Sequence, residues 1–98
     1  MILVGRDALD KAAKKHGAKL GKALARWAEV VGQAEWKRLA DLKKTFGNAD
    51  YVGAAKCVVF NIKGYEFRLT AKVNYKARIV SVEQVITHAE YDKWSANQ

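Results

Sequence analysis

The apolar residues of this chain change their spacing once, and that change fixes the class of fold. From Asp7 to Lys44 they recur at steps of three and four, the period of a helix face. From Cys57 to Ile86 they recur at steps of two, the period of a strand. Helices grouped before strands predict an α+β domain, with the helices on one face of an antiparallel meander. The 98 residues suffice for one such domain, spanning 1–98.

The elements follow from local signals. Residues 1–4 (Met-Ile-Leu-Val) are β-prone and end at Gly5, predicting a first strand. A helix from Asp7 to His16 carries Ala8, Leu9, Ala12 and Ala13 inward and stops at Gly17. A second, from about Ala18, places Leu20, Leu24, Trp27, Ala28 and Val31 on one face. A third is expected over residues 35–44, with Trp36, Leu39 and Ala40 inward and Lys37, Lys43 and Lys44 outward. Residues 46–56 read as a loop. Strands are expected at 57–62, 65–73 and 78–86, joined by a hairpin turn at Lys63-Gly64 and a second turn at 74–77. In the middle strand Tyr65, Phe67, Leu69, Ala71 and Val73 share one face, and Glu66, Arg68, Thr70 and Lys72 share a polar one. Thr87-x-x-Glu90 is a capping-box signature, so a short helix closes the chain.

Charge narrows the partner. Eighteen Lys and Arg against ten Asp and Glu give +8, and residues 1–45 hold 11 of the basic residues. Such a balance suits nucleic acid, an anionic membrane surface or an acidic protein, without choosing among them. The single cysteine, Cys57, lies in an apolar run and reads as a small core residue. One cysteine and two distant histidines match no zinc spacing, so neither metal nor cofactor is expected. The absence of a signal-like segment or membrane span makes the cytoplasm the expected location.

The candidate chemistry collects near the C-terminus. His88 falls at the first helical position, beside free N–H groups suited to a phosphate. Tyr91, three residues on, shares its face. Arg68 can grip a phosphate with two donors, or else pair with Glu66 or Glu83 on the sheet surface. His88 is a candidate acid or base, or a histidine held only by its capping turn. Tyr91 can donate a proton or stack on a base, or pack in the core. Lys93 is either a charge near the phosphate or a solvated side chain. Lys37, Lys43 and Lys44 are candidate contacts to an RNA backbone, or part of a solvated face. His16 reads as a partner of its own helix dipole, and Glu90 as part of the capping box. Metal-free RNA cleavage needs a base for the 2′-hydroxyl, cations for the phosphorane and an acid for the 5′-oxygen. Residues of these types are present.

Phe60-Asn61-Ile62-x-Gly64, Phe67-Arg68-Leu69 and Thr87-His88-x-Glu90-Tyr91-Asp92 resemble the HigB-type toxins of type II toxin–antitoxin modules, within the RelE-like mRNA interferases. Trp27, Ala34-Glu35-Trp36-Lys37, Asp41, Phe46 and Ala49-Asp50 agree, so the likeness runs from about Arg6 to Trp94. The resemblance implies a small RelE-like fold and a ribosome-dependent, metal-independent endoribonuclease. It implies binding at the ribosomal A site, cleavage of translated mRNA, and neutralisation by a helix-turn-helix antitoxin. Operator DNA would be bound only through the toxin–antitoxin complex. Arg68, His88 and Tyr91 then form the catalytic set, with Lys37, Lys43, Lys44 and Lys93 on RNA. Two other readings stand beside it: a non-catalytic RNA-binding or repressor subunit, and a same-fold toxin acting on a protein such as gyrase. The chain has Gly64-Tyr65 where the family usually has Gly-Asn, a change expected to alter the turn and not the chemistry. The Ser81-Val82-Glu83 stretch is also more polar than expected.

Overall fold

The computed structural model describes residues 1–98. In chain order the elements are β1 (Ile2–Val4), α1 (Arg6–His16), α2 (Ala18–Gln33), α3 (Leu39–Thr45), β2 (Asp50–Val52), β3 (Cys57–Ile62), β4 (Phe67–Asn74), β5 (Ile79–Thr87) and α4 (His88–Ala96). One five-stranded sheet has the order β1-β5-β4-β3-β2. β1 runs parallel to β5, and the remaining neighbours are antiparallel. The α+β expectation holds.

Packing follows the two periodicities. Leu20, Leu24, Trp27, Ala28 and Val31 of α2 are all buried, as their spacing requires. They meet Val58, Phe60 and Ile62 of β3 and Phe67, Leu69 and Ala71 of β4 in one apolar cluster. Phe60 is its centre: Trp27 and Phe46 each approach its ring edge-on with centroids 5.2 Å apart. Edge-to-face pairs contribute about 0.5–1.5 kcal/mol each beyond the burial of their area.

The chain turns from β1 into α1 at Gly5, where φ is +89°. A Cβ there would lie 2.7 Å from the carbonyl oxygen of Val82, so the close approach of this corner to β5 needs a glycine.

Three expectations require correction. The third helix begins at Leu39, not at residue 35. Arg38 is fully extended, and the Asp41 carboxylate accepts from the Lys37 N–H at 3.0 Å, which holds the preceding link outside the helix. Trp36 is buried from that link, its Nε1–H donating to Thr45 Oγ1 at 2.9 Å. The shift in register turns Ala40 outward and Leu42 inward. Secondly, the segment read as a loop contains β2, paired with β3 through Asp50↔Val59 and Val52↔Cys57. Three residues are too few for an alternation to show. Finally, β4 begins at Phe67 and leaves Tyr65 outside the strand and exposed, not on the core face.

The second sheet face is also less open than its polar residues imply. Cys57, Val59, Arg68 and Thr70 on it are buried. Burial, and then the Glu83 carboxylate, push the Cys57 thiol above its ordinary value, while Lys72 opposes the rise. This thiol behaves as a core group. Thr70 Oγ1 is buried without a hydrogen-bond partner. An orphaned hydroxyl costs about 1–3 kcal/mol. Thr70→Val, which keeps the shape and removes the hydroxyl, is therefore expected to raise the midpoint of urea unfolding. An unchanged or lower midpoint would mean that the hydroxyl has a partner in solution.

Candidate active site

The end of the sheet where β4 starts and β5 stops sets the geometry of the site. Register pairs Asn61 of β3 with Arg68 of β4, and Arg68 with Ile86 of β5. Directly opposed residues point to the same face, so Arg68 stands between Asn61 and the chain that enters α4. Asn61 Nδ2 donates to Asn48 O at 3.4 Å, extending the row towards β2.

The capping box fixes the start of α4. Thr87 Oγ1 accepts from the Glu90 N–H at 3.2 Å, and Glu90 Oε1 accepts from the Thr87 N–H at 2.9 Å. The His88 N–H donates to Glu66 O at 3.0 Å, tying the helix to the β3–β4 hairpin. Glu90 is held below the ordinary carboxyl range. The hydrogen bond from the Thr87 backbone is the main cause, then that with its side chain, with smaller help from Lys15 and His16 and opposition from desolvation. Because the folded value is depressed, the contribution of the cap is complete above the unfolded carboxyl range. It is lost as pH falls through the folded value. Thr87→Ala should cost about 0.5–2 kcal/mol at neutral pH, and less once Glu90 is protonated. Urea titrations at the two pH values check this. A pH-independent cost would show that the carboxylate gains nothing from the Thr87 hydroxyl, its bond to the residue-87 N–H being kept in the variant.

Arg68 is 9% exposed, which is unexpected for a residue on the polar face. Its Nη1 donates to Tyr65 O at 2.8 Å and to Phe67 O at 3.4 Å. Its Nη2 lies 3.1 Å from His88 Nδ1. Neither surface partner considered for it is used: Glu66 pairs with Lys63 at 3.0 Å and Glu83 with Lys72 at 3.9 Å. A guanidinium has donors only, so the His88 nitrogen facing it presents a lone pair and the ring proton sits on Nε2. That nitrogen lies 3.5 Å from Asp92 Oδ2, on an imidazole whose side chain is 53% exposed. Tyr65 O, 3.3 Å from Nδ1, is the acceptor available if the ring becomes doubly protonated. The Tyr91 ring lies 5.5 Å from the guanidinium carbon and packs against Trp94.

Arg68, His88 and Tyr91 are therefore brought together. The other named residues are not. Lys93 makes no contact with the cluster, and a helical step of about 100° per residue turns it roughly 140° from His88. Lys43 and Lys44 are exposed in the last turn of α3. Lys37 lines a groove of about 450 Å³ with Trp36, Tyr75, Lys76 and Arg78. That groove lies by the β4–β5 turn, roughly 20 Å along β4 from Arg68 at the usual rise per strand residue.

Four residues at the cluster are not among the site residues expected from the sequence, although Asn61 and Asp92 lie in the motifs that carry the family likeness. Tyr65 and Asp92 touch the cluster directly, and Asn61 and Asn48 flank it. His16 packs its ring against Phe67, centroids 4.9 Å apart, next to Arg68. Two signals point to Asn61: its place in the Phe60-Asn61-Ile62 motif and its parity with Arg68 across the hairpin. No group of three or more His, Cys, Asp or Glu side chains is placed to hold a metal ion. No helix is long and apolar enough to cross a membrane.

Comparison with known proteins identifies the family. Residues 20–94, which include Arg68, His88 and Tyr91, match the HigB toxin family, described as the RelE-like toxic component of a toxin–antitoxin system. The chain is 30% identical over 97 residues to the mRNA interferase toxin HigB of Escherichia coli K12, covering 98% of this chain and 92% of that protein. The mRNA interferase HigB proteins of Escherichia coli O157:H7 and Shigella flexneri match to the same extent.

Proposed function

The chain belongs to the HigB family of RelE-like toxins, and from that premise we propose that it cleaves mRNA with Arg68, His88 and Tyr91. It is the toxin of a toxin–antitoxin pair and an mRNA interferase, held in check by a cognate antitoxin. The observation that carries the catalytic assignment is the 3.1 Å contact between Arg68 and His88 beside the Tyr91 ring.

The chemistry divides among these groups. Nη1 of Arg68 is committed to two backbone carbonyls, and no protein acceptor takes its Nε–H. The guanidinium thus keeps donors for a phosphorane oxygen while its position is fixed from behind. His88 is set to protonate the departing 5′-oxygen from the exposed Nε2 of its doubly protonated ring, ending as neutral imidazole; Tyr65 O accepts the Nδ1–H in that form and Asp92 orients the ring. Tyr91, whose ring lies beside the guanidinium, is assigned to the 2′-oxygen side, where its hydroxyl relays the proton of the attacking 2′-hydroxyl to solvent water. Our reading extends to binding at the ribosomal A site, where the ribosome supplies substrate geometry that so sparse a site lacks. It also includes a helix-turn-helix antitoxin, operator binding only through the complex, and a cytoplasmic location. Lys37, Lys43, Lys44 and Lys93 are assigned to the RNA backbone away from the scissile bond, where their loss weakens binding and its salt dependence together.

The test is induced expression of wild type and His88→Ala, with primer extension on a reporter mRNA with and without its start codon. Growth arrest with cuts only in the translated message, and none with the variant, is the expected result. Arrest with intact mRNA would transfer the assignment to a protein target such as gyrase. Unaffected growth would favour a non-catalytic RNA-binding role.

A further inference from the structure

Tyr65 follows the β3–β4 turn, and the fold carries it into the cluster of Arg68 and His88. Lys63 and Gly64 both have positive φ, +54° and +67°, so the turn swings the next residue out of the alternation of β4. The Tyr65 carbonyl accepts from Arg68 and lies 3.3 Å from His88 Nδ1, which locks its backbone to the site. Its ring lies 5.8 Å from the Arg68 guanidinium carbon and is not packed away: the residue is 63% exposed. Tyr91, the other ring at this guanidinium, is half-buried and leans on Trp94. Lys63 and Glu66 pair across the turn, bracing the loop that presents Tyr65.

We propose that Tyr65 is a stacking platform for a nucleobase next to the phosphate held by Arg68. The inference rests on that phosphate assignment. Every phosphodiester has a base one sugar away on each side. A phosphate anchored at the guanidinium therefore brings a base to the exposed ring beside it. Aromatic rings accept any base face, so the contact adds affinity with little sequence preference. The ring can serve this purpose because its own contact with Arg68 leaves most of its surface free. A tyrosine needed only to brace Arg68 would be covered.

The experiment compares binding of two 2′-O-methyl hexanucleotides, which cannot undergo 2′-hydroxyl attack: one with all its bases, one abasic throughout. Fluorescence anisotropy at low salt reads wild type, Tyr65→Ala and Tyr65→Phe, each checked for folding by circular dichroism. Tyr65→Ala is expected to bind the base-bearing RNA roughly 5- to 150-fold more weakly, the range of one lost stack. It should bind the abasic backbone as wild type does. Tyr65→Phe should match wild type on both. Equal loss on both RNAs would mean that the ring only braces Arg68, and the proposal falls. It also falls if Tyr65→Ala binds the base-bearing RNA like wild type, or if wild type binds neither. Cleavage of translated mRNA is measured separately. A protein that does not cut yet shows the base-dependent loss keeps the subsite and forfeits the nuclease reading.

Discussion

Arg68→Ala is expected to lower mRNA cleavage by about 10²–10³-fold, the usual loss when one preorganised donor is removed from a developing anion. The effect has two sources in one side chain. The guanidinium is the only cation in contact with His88, so the phosphorane loses its charge partner. The same change removes the donor facing His88 Nδ1, freeing the ring to take the other tautomer and turn away. Arg68→Lys is not expected to restore activity, because one ammonium cannot serve Tyr65 O, Phe67 O, His88 and the phosphate together. Single-turnover cleavage on programmed ribosomes, with circular dichroism to confirm folding, measures the loss. Activity of Arg68→Lys within threefold of wild type would reduce the role of Arg68 to bulk positive charge.

Phe60→Ala should cost about 3–5 kcal/mol. Phe60 is 1% exposed and takes ring edges from both Trp27 and Phe46, one on α2 and one on the link after α3. Its removal leaves a cavity where both helical segments meet the sheet. Domains of this size have about 5–15 kcal/mol in total, so a large fraction of the variant should be unfolded at growth temperature. Urea denaturation gives the number. A midpoint close to that of wild type would mean that the helices close over the gap.

The contrast between these two residues shows what a sequence can reveal. Phe60 was legible because core positions repeat: Val58, Phe60 and Ile62 alternate, and five α2 residues return at helical spacing. Ala40 and residues 35–38 misled because a helical spacing of apolar groups persists in a link whose backbone is extended by Asp41 and Arg38. β2 is too short to carry a period. At the candidate site, residue type and family likeness single out Arg68, His88 and Tyr91, which the fold brings together, and spacing reveals the capping box. The burial of Arg68 was not. It depends on carbonyls of Tyr65 and Phe67 that curl round the guanidinium, and backbone acceptors leave no trace in residue identity. Tyr65 was misplaced for a related reason: two successive positive-φ residues break the alternation on which its placement was based.

The parallel pairing of β1 with β5 bears on how the protein is made. β1 finds its partner only at Ile79–Ser81, and His88 and Tyr91 come later still in the chain, on α4. The sheet cannot be completed on a partial chain, and neither can the cluster at its end. Newly made toxin is thus expected to be harmless to the ribosome producing it until α4 has been made, and translation interrupted before α4 should yield inert fragments. A stop codon in place of Thr87 should abolish growth arrest and leave a product degraded rapidly in cells. Arrest by that fragment would show that toxicity resides in the helices and the unfinished sheet.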